Sequence, residues 1–156
     1  MCQEVMGNKL QILLVEDSKS DADLLIRYLK KADITFDYMR VWSRDTFLNA
    51  LVQTNPDLII ADQLLAQFSG IEAFRITKKW NSHIPFILVT GSISEKLLAE
   101  YTKEGIDDYI MKDNLLRLSV AIKNAISKKR IEHLHEQLEN YVRGIVFFIA
   151  TGSLYN

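Results

Sequence analysis

This 156-residue chain has one cysteine, two prolines and almost no net charge. The low cysteine count and the balanced charge each exclude a class of protein. The one cysteine, Cys2, has no partner in the sequence, which excludes a scaffold held by disulfides and favours a reduced, cytoplasmic protein. Nineteen basic and 20 acidic residues leave a formal charge of −1, so no overall field attracts nucleic acid or an anionic membrane. We therefore expect neither a nucleic-acid partner nor a membrane partner.

Long apolar runs are absent as well. The most apolar stretch outside the expected core, 145–150, is far shorter than the roughly 20 residues that a membrane-spanning helix requires. No basic segment followed by an apolar signal core opens the chain. A composition of 48% hydrophobic and 25% charged residues instead fits one globular domain that buries a sizeable core.

Short apolar runs do occur, and they alternate with stretches of helical period. Such alternation predicts an α/β fold, a doubly wound (βα)5 parallel sheet of flavodoxin-like type, with an extended C-terminal helix. We expect one domain over 8–127 and a helical extension or linker over 128–156. The predicted strands are 10–16, 37–43, 57–62, 85–90 and 108–111, and the predicted helices are 18–33, 44–53, 71–80, 94–104 and a long one from about 114.

Charged or polar side chains stand at the carboxyl ends of four predicted strands: Glu16, Asp17, Asp62, Thr90 and Lys112. Strands 1, 3 and 4 are nearly continuous in Leu, Ile and Val, as buried parallel strands are, and ligands bind beyond the carboxyl ends of such strands. Three clustered carboxylates repel one another, and Mg²⁺ relieves that repulsion. The set predicts phosphoryl transfer to a carboxylate, with Mg²⁺ and a lysine neutralising the transferring group.

This constellation resembles the receiver domain of bacterial two-component response regulators, over about residues 10–126. In that family an acid pair after strand 1 holds Mg²⁺, and an Asp after strand 3 accepts a phosphoryl group from a histidine kinase. A Thr or Ser after strand 4 and a Lys after strand 5 complete the site. The resemblance therefore implies a histidine kinase or phosphotransfer protein as partner, and a protein-binding surface that phosphorylation switches.

Residue by residue, the resemblance implies that Asp62 is the phosphoacceptor. It places the metal on Glu16, Asp17 and Asp62, with Asp17 the principal ligand. It assigns stabilisation of the phosphoryl group to Thr90 and Lys112. Such a domain catalyses its own modification from a donor, so we do not expect a turnover enzyme.

The resemblance extends to three further positions and fails at two. It implies that the backbone carbonyl of Leu64 is a metal ligand, that Gly70 stands in the loop after strand 3, and that Tyr109 is an aromatic switch residue, although ordinary packing explains Tyr109 equally well. The family often has Pro where this chain has Ala66, and Pro after the lysine where this chain has Asp113. These differences affect loop geometry and not the charges that the chemistry needs.

Two alternative functions share the fold. A pseudo-receiver would bind proteins without accepting a phosphoryl group, and the complete set of site residues argues against it. A phosphatase whose nucleophile is an Asp at a strand end would be expected to carry a D-x-D pattern. This chain has Leu64 in place of the second Asp, which argues against that enzyme. His83, His133 and His135 predict no metal site, because positions two apart on a helix point to different faces and no cysteine joins them.

The tail carries a basic run and then an apolar seam. Residues 128–130 are all basic and are expected to be solvated. The seam has spacings of 3, 4, 3, 4 and 3, an a/d heptad pattern that favours a homodimer through the C-terminal helix or contact with a following segment. Gly144 and the β-branched residues of 145–152 leave a strand or a frayed end as the alternative. The seam residues are Ile131, Leu134, Leu138, Tyr141, Ile145 and Phe148.

Overall fold

Five strands and five main helices alternate along the chain, as the apolar pattern predicts. The computed structural model describes residues 9–152, so Cys2, residue 8 and residues 153–156 lie outside the described part. The domain boundary after residue 127 stays a prediction. The elements are β1 (Leu10–Val15), α1 (Lys19–Lys31), β2 (Phe36–Val41), α2 (Arg44–Thr54), β3 (Leu58–Asp62), α3 (Gly70–Trp80), β4 (Phe86–Thr90), α4 (Glu95–Glu104), β5 (Asp108–Met111), a 3₁₀ turn (Leu115–Arg117) and α5 (Leu118–Gly152).

The sheet is parallel throughout, with the strand order β2-β1-β3-β4-β5. This confirms the doubly wound arrangement and places β2 and β5 at the two edges. The order reverses between β1 and β3, and a reversal of this kind opens a crevice at the carboxyl ends of the two strands. The register places Val15 beside Ala61, Asp62 beside Val89 and Thr90 beside Met111. The predicted polar residues therefore meet at one edge of the sheet.

Helices cover both faces of the sheet, because successive strand residues point to opposite faces. Along β1, Ile12 and Leu14 pack under α1 and α5, whereas Leu13 and Val15 pack under α2, α3 and α4. Every residue of β3 and β4 is buried. Asp62 is thus the last residue of a strand that has no solvated face.

Serines begin four of the helices. Ser18, Ser43, Ser69 and Ser94 each accept a hydrogen bond from the backbone N–H three residues further on, which satisfies a group that the first helical turn leaves free. Gly105 ends α4 with a φ of 100°, as the sequence predicts. The last helix was expected to begin near residue 114, but Asn114 precedes the 3₁₀ turn without a side-chain cap among the described residues, and α5 begins at Leu118.

The last helix, α5, is 35 residues long and leaves the body of the domain. Its buried residues end at Ala125, and every residue from 130 to 150 is exposed. The segment 145–152 is helical, which excludes the strand alternative. Within residues 9–152, no helix combines the length and the hydropathy needed to cross a membrane.

The expectation that the basic run is solvated was wrong for Lys129, whose side chain is 15% exposed, whereas that of Lys128 is 54% exposed. The ammonium of Lys129 donates to the carbonyl of Ser82 at 3.0 Å and lies 3.6 Å from the carboxylate of Asp107. Lys128 approaches the same carboxylate at 3.7 Å. Because the side chain of Asp107 is only 1% exposed, these contacts join the base of the protruding helix to the domain.

Gly70 shows how tightly α3 begins against the end of β3. A Cβ at this position would lie 2.5 Å from the backbone oxygen of Asp62 and 2.6 Å from Cδ1 of Leu88. We predict that Gly70→Ala lowers the free energy of unfolding by about 1–3 kcal/mol, because the helix must move away from the strand. Gly91→Ala is the control, since a Cβ there meets none of the described atoms within 4 Å. Urea unfolding measures both, and equal stabilities of the two variants would contradict the prediction.

Candidate functional site

Asp62 lies at the centre of the polar cluster that the strand ends form. Its Oδ2 accepts a hydrogen bond from the ammonium of Lys112 at 2.7 Å, and its Oδ1 accepts one from the backbone N–H of Leu64 at 3.1 Å. The residue is 6% exposed. A carboxylate with so little solvent depends on these donors for its charge.

Glu16 is completely buried beside Asp62. Its Oε1 accepts a hydrogen bond from the N–H of Ser18, but its Oε2 meets no hydrogen-bond donor within the described ranges and has only the charge of Lys112, 3.3 Å away. Burial raises the pKa of Glu16 to about 7. The Ser18 bond opposes that rise, and the charge of Asp62 adds to it. The contacts of Glu16 with Ser18 and Lys112 therefore do not offset the cost of burying its charge.

Asp17 differs from its neighbour because it is exposed. Its Oδ2 accepts a hydrogen bond from the backbone N–H of Ala66 at 3.1 Å. This bond joins the end of β1 to the loop after β3, at the position where the resemblance expects Pro. Arg40 on β2 donates to the backbone carbonyls of Glu16 and Asp17 at 3.2 and 3.3 Å, and so holds the turn after β1 from the other side.

Lys112 joins three carboxylates. Its ammonium lies 2.6 Å from Asp21, 2.7 Å from Asp62 and 3.3 Å from Glu16. Burial by itself lowers the pKa of Lys112, but the hydrogen bonds to Asp21 and Asp62 outweigh it and leave that pKa well above the usual range. Lys112 is therefore fully charged at neutral pH.

Asp21 is a site residue that the sequence interpretation missed. It lies in the first turn of α1, four residues after Asp17, where acids commonly complement the helix dipole. Because that role already explains an acid at this position, nothing in the sequence gives a reason to expect its contact with Lys112. Its location could have indicated the contact, since a helix that starts directly after strand 1 has its first turn over the same crevice.

The donor set fits a divalent cation of the Mg²⁺ type. Glu16, Asp17 and Asp62 each offer one carboxylate oxygen, and these oxygens all lie within 4.8 Å of one another. Asp21 adds a fourth acid, and three of the four acids share the one ammonium of Lys112, so negative charge is in excess. Oε2 of Glu16, which has no hydrogen-bond partner among the described residues, is the further observation that favours a cation here. The role of the Leu64 carbonyl stays a prediction.

Thr90 and Tyr109 stand less directly at the cluster. Thr90 is fully buried, and its hydroxyl donates to the carbonyl of Ser92 at 2.8 Å. Tyr109 is half-buried and packs against the core under α2, α3 and α4. The buried tyrosine is Tyr101, whose hydroxyl lies 2.8 Å from the side-chain nitrogen of Gln63. The phosphoryl-stabilising role of Thr90 and the switch role of Tyr109 stay predictions.

Two of the three histidines lie together, which the sequence interpretation did not predict. His83 and His133 are 50 residues apart in sequence, yet their ring centroids lie 4.3 Å apart. His135 is separate and pairs with Glu139 on the same helix at 3.4 Å. Spacing along one helix does not predict a contact between a helix and a distant loop.

Comparison with known proteins identifies the family. Residues 12–123 match the family model described as the response regulator receiver domain. The solved structure of a response regulator receiver domain protein from Clostridium thermocellum superposes with a TM-score of 0.69 at 25% identity, covering 78% of this chain and 98% of that one. The signal receiver domain of a signal transduction histidine kinase from Syntrophus aciditrophicus gives a TM-score of 0.65 at 29% identity, covering 76% and 91%.

Among curated proteins, the transcriptional regulatory protein BaeR from Escherichia coli O6:H1 is 36% identical over 107 residues, which is 67% of this chain. The match covers 42% of BaeR, so the chain spans less than half the length of that relative. The family match includes all five strands' carboxyl ends and the acidic cluster between them. The chain therefore belongs to the response regulator receiver domain family.

Proposed function

We propose that this chain is a phosphoacceptor in a two-component phosphorelay. A histidine kinase or phosphotransfer protein donates a phosphoryl group to Asp62, and the modified domain presents a changed surface to a protein partner. The observation that carries the proposal is the placement of Asp62, held by Lys112 at 2.7 Å inside a cluster of carboxylates that needs a cation. A cytoplasmic location belongs to the same proposal and is supported by the single cysteine.

In the proposed reaction, a carboxylate oxygen of Asp62 forms a bond to phosphorus. The bond between phosphorus and the donor nitrogen breaks, and that nitrogen keeps the electron pair. Glu16, Asp17 and Asp62 would hold Mg²⁺, and an ion at this position would neutralise the charge of the phosphoryl group. Lys112 contributes a second positive charge without moving far, because it already contacts Asp62.

Thr90 provides the conformational part of the proposal. Its hydroxyl donates to Ser92, so it can stabilise a phosphoryl group on Asp62 only after releasing that carbonyl. This change of hydrogen-bond partner rotates the Thr90 side chain and releases the backbone carbonyl of Ser92 in the following loop. Phosphorylation is thereby linked to the start of α4, which Ser94 caps two residues further on.

We predict that a small phosphodonor with Mg²⁺ adds one phosphoryl group to the chain and that Asp62→Asn takes up none, because the amide is not a nucleophile. Intact-mass spectrometry measures the addition. Asp23→Asn is the matched control, since Asp23 is an exposed acid on α1 outside the cluster.

Three results would contradict this assignment. Equal labelling of Asp62→Asn would move the acceptor elsewhere. A wild-type chain that accepts no phosphoryl group would favour the pseudo-receiver. Steady turnover of a phosphomonoester, with no stable adduct, would favour the phosphatase.

We predict that Asp17→Asn weakens Mg²⁺ binding by about tenfold or more, because the amide keeps the hydrogen bond from Ala66 but removes an ionic ligand. Titration of the metal against a spectroscopic or calorimetric signal gives both dissociation constants. Asp23→Asn again serves as control. Wild-type affinity in Asp17→Asn would mean that the metal lies away from the three predicted ligands.

We also propose that the chain forms a homodimer through the seam of α5. The seam residues defined above are 41–74% exposed, so the domain leaves this stripe uncovered. Within the seam, the e and g positions 135, 137, 142 and 144 carry no Lys, Arg, Asp or Glu, and the charge of Arg130 stands at the g position just before it. A second copy in parallel therefore meets apolar surface without like-charge repulsion, which makes the same helix the occupant that fits best.

We predict that sedimentation at tens of micromolar shows a dimer for the full chain and a monomer for a version ending at Arg130. Leu138→Glu tests the same point without truncation, because it places a charge in the seam. Asn140→Glu adds the same charge outside the seam and should leave the dimer intact. If the full chain is monomeric with and without phosphodonor, the coiled-coil proposal is wrong.

A further inference from the structure

A second group of metal-ligating side chains lies away from the acidic cluster, where the protruding helix passes the loop between α3 and β4. His83, in that loop, places its Nε2 2.8 Å from Oε2 of Glu136 on α5. The ring of His133, one turn earlier on α5, lies edge-on to the ring of His83 at 4.3 Å. One ligand atom from each of the three side chains falls within 4.8 Å of the other two.

We propose that His83, His133 and Glu136 form a binding site for a transition-metal dication of the Zn²⁺ type. Two imidazoles and one carboxylate are a known ligand set for Zn²⁺, whereas Mg²⁺ prefers oxygen ligands alone. The acidic cluster and this site therefore select different metals.

The backbone geometry suits such a site. Residues three apart on a helix lie on one face, so His133 and Glu136 project together toward the loop. Zn²⁺ bonds of about 2.0–2.1 Å separate tetrahedral ligand atoms by roughly 3.3 Å. The three ligand atoms already lie within 4.8 Å of one another, and the side chains of His133 and Glu136 are exposed, so packing does not hold them in place.

Two existing interactions change when the ion binds. His83 and Glu136 exchange their direct contact for bonds to the metal. The ligating nitrogen of His83 must give up its proton, which a neutral ring carries on Nδ1 instead and an imidazolium releases to solvent. Nε2 of His133 lies 3.0 Å from the side-chain nitrogen of Gln137, so coordination through that nitrogen requires Gln137 to turn away. A water molecule completes the fourth position, as in three-ligand zinc sites generally.

The position of the site gives it a structural consequence. Lys129 already ties α5 to the carbonyl of Ser82, and the proposed ion extends that attachment to Glu136, two turns further along the helix. The site occupies heptad positions c and f, opposite the a and d positions of the seam. Metal binding therefore fixes the direction in which α5 leaves the domain and keeps the seam free.

Isothermal titration with ZnCl₂ tests the proposal, using the untagged full chain with Cys2→Ser and excess Mg²⁺ present. The substitution removes the one thiol, and Mg²⁺ saturates the acidic cluster. We expect one Zn²⁺ per chain, with binding at least tenfold weaker in His83→Ala and in His133→Ala. Co²⁺ in place of Zn²⁺ should give the intense visible absorption of tetrahedral coordination in the parent and not in either variant.

His135→Ala is the matched control. His135 lies on the same helix and also has a carboxylate neighbour, Glu139, but it has no second imidazole. Unchanged affinity in this control supports the site. The proposal is overturned if the parent does not bind Zn²⁺, if His135→Ala loses as much affinity as His133→Ala, or if half an ion per chain shows that two copies share the metal. Far-ultraviolet circular dichroism confirms that each variant is folded.

Discussion

The ion pair between Asp62 and Lys112 is the interaction on which the site depends. Because β3 is buried, the carboxylate of Asp62 has almost no contact with solvent. The ammonium of Lys112, the residue after β5, offsets the lost hydration. The same ammonium also serves Glu16 and Asp21, so one cation is shared among three acids. A cluster balanced in this way is sensitive to any added charge, which is the property that a site for a metal ion and a phosphoryl group requires.

The sequence predicts the centre of this site well, for a reason that lies in sheet geometry. In a parallel sheet every strand ends at the same edge, so the residues after the strands converge whatever the intervening loops do. Glu16, Asp17, Asp62 and Lys112 could all be placed by finding the strands. The helix starts were predictable on equally local grounds, because a serine cap acts within one turn.

The contacts that the sequence did not predict depend on the orientation of a helix or of a hydroxyl group. Asp21 meets Lys112 only because α1 presents its first turn to the crevice. The contact of His83 with His133 and that of Lys129 with Ser82 require the course of α5 past a distant loop. The apolar periodicity of a single helix or strand does not predict contacts between different elements. It does not predict the hydrogen bond from Thr90 to Ser92 either.

The length of α5 turns small movements of the domain into large ones. Residues 137–152 continue as helix beyond the contact of Glu136 with His83, which at 1.5 Å per residue amounts to a rod of about 24 Å. A tilt of about 10° at the base of a stiff rod of this length displaces its tip by roughly 4 Å. The contacts of Lys129 and Glu136 with the domain form the base about which such a tilt occurs. Whatever attaches to the far end receives a displacement several times larger than a side-chain movement at the strand ends.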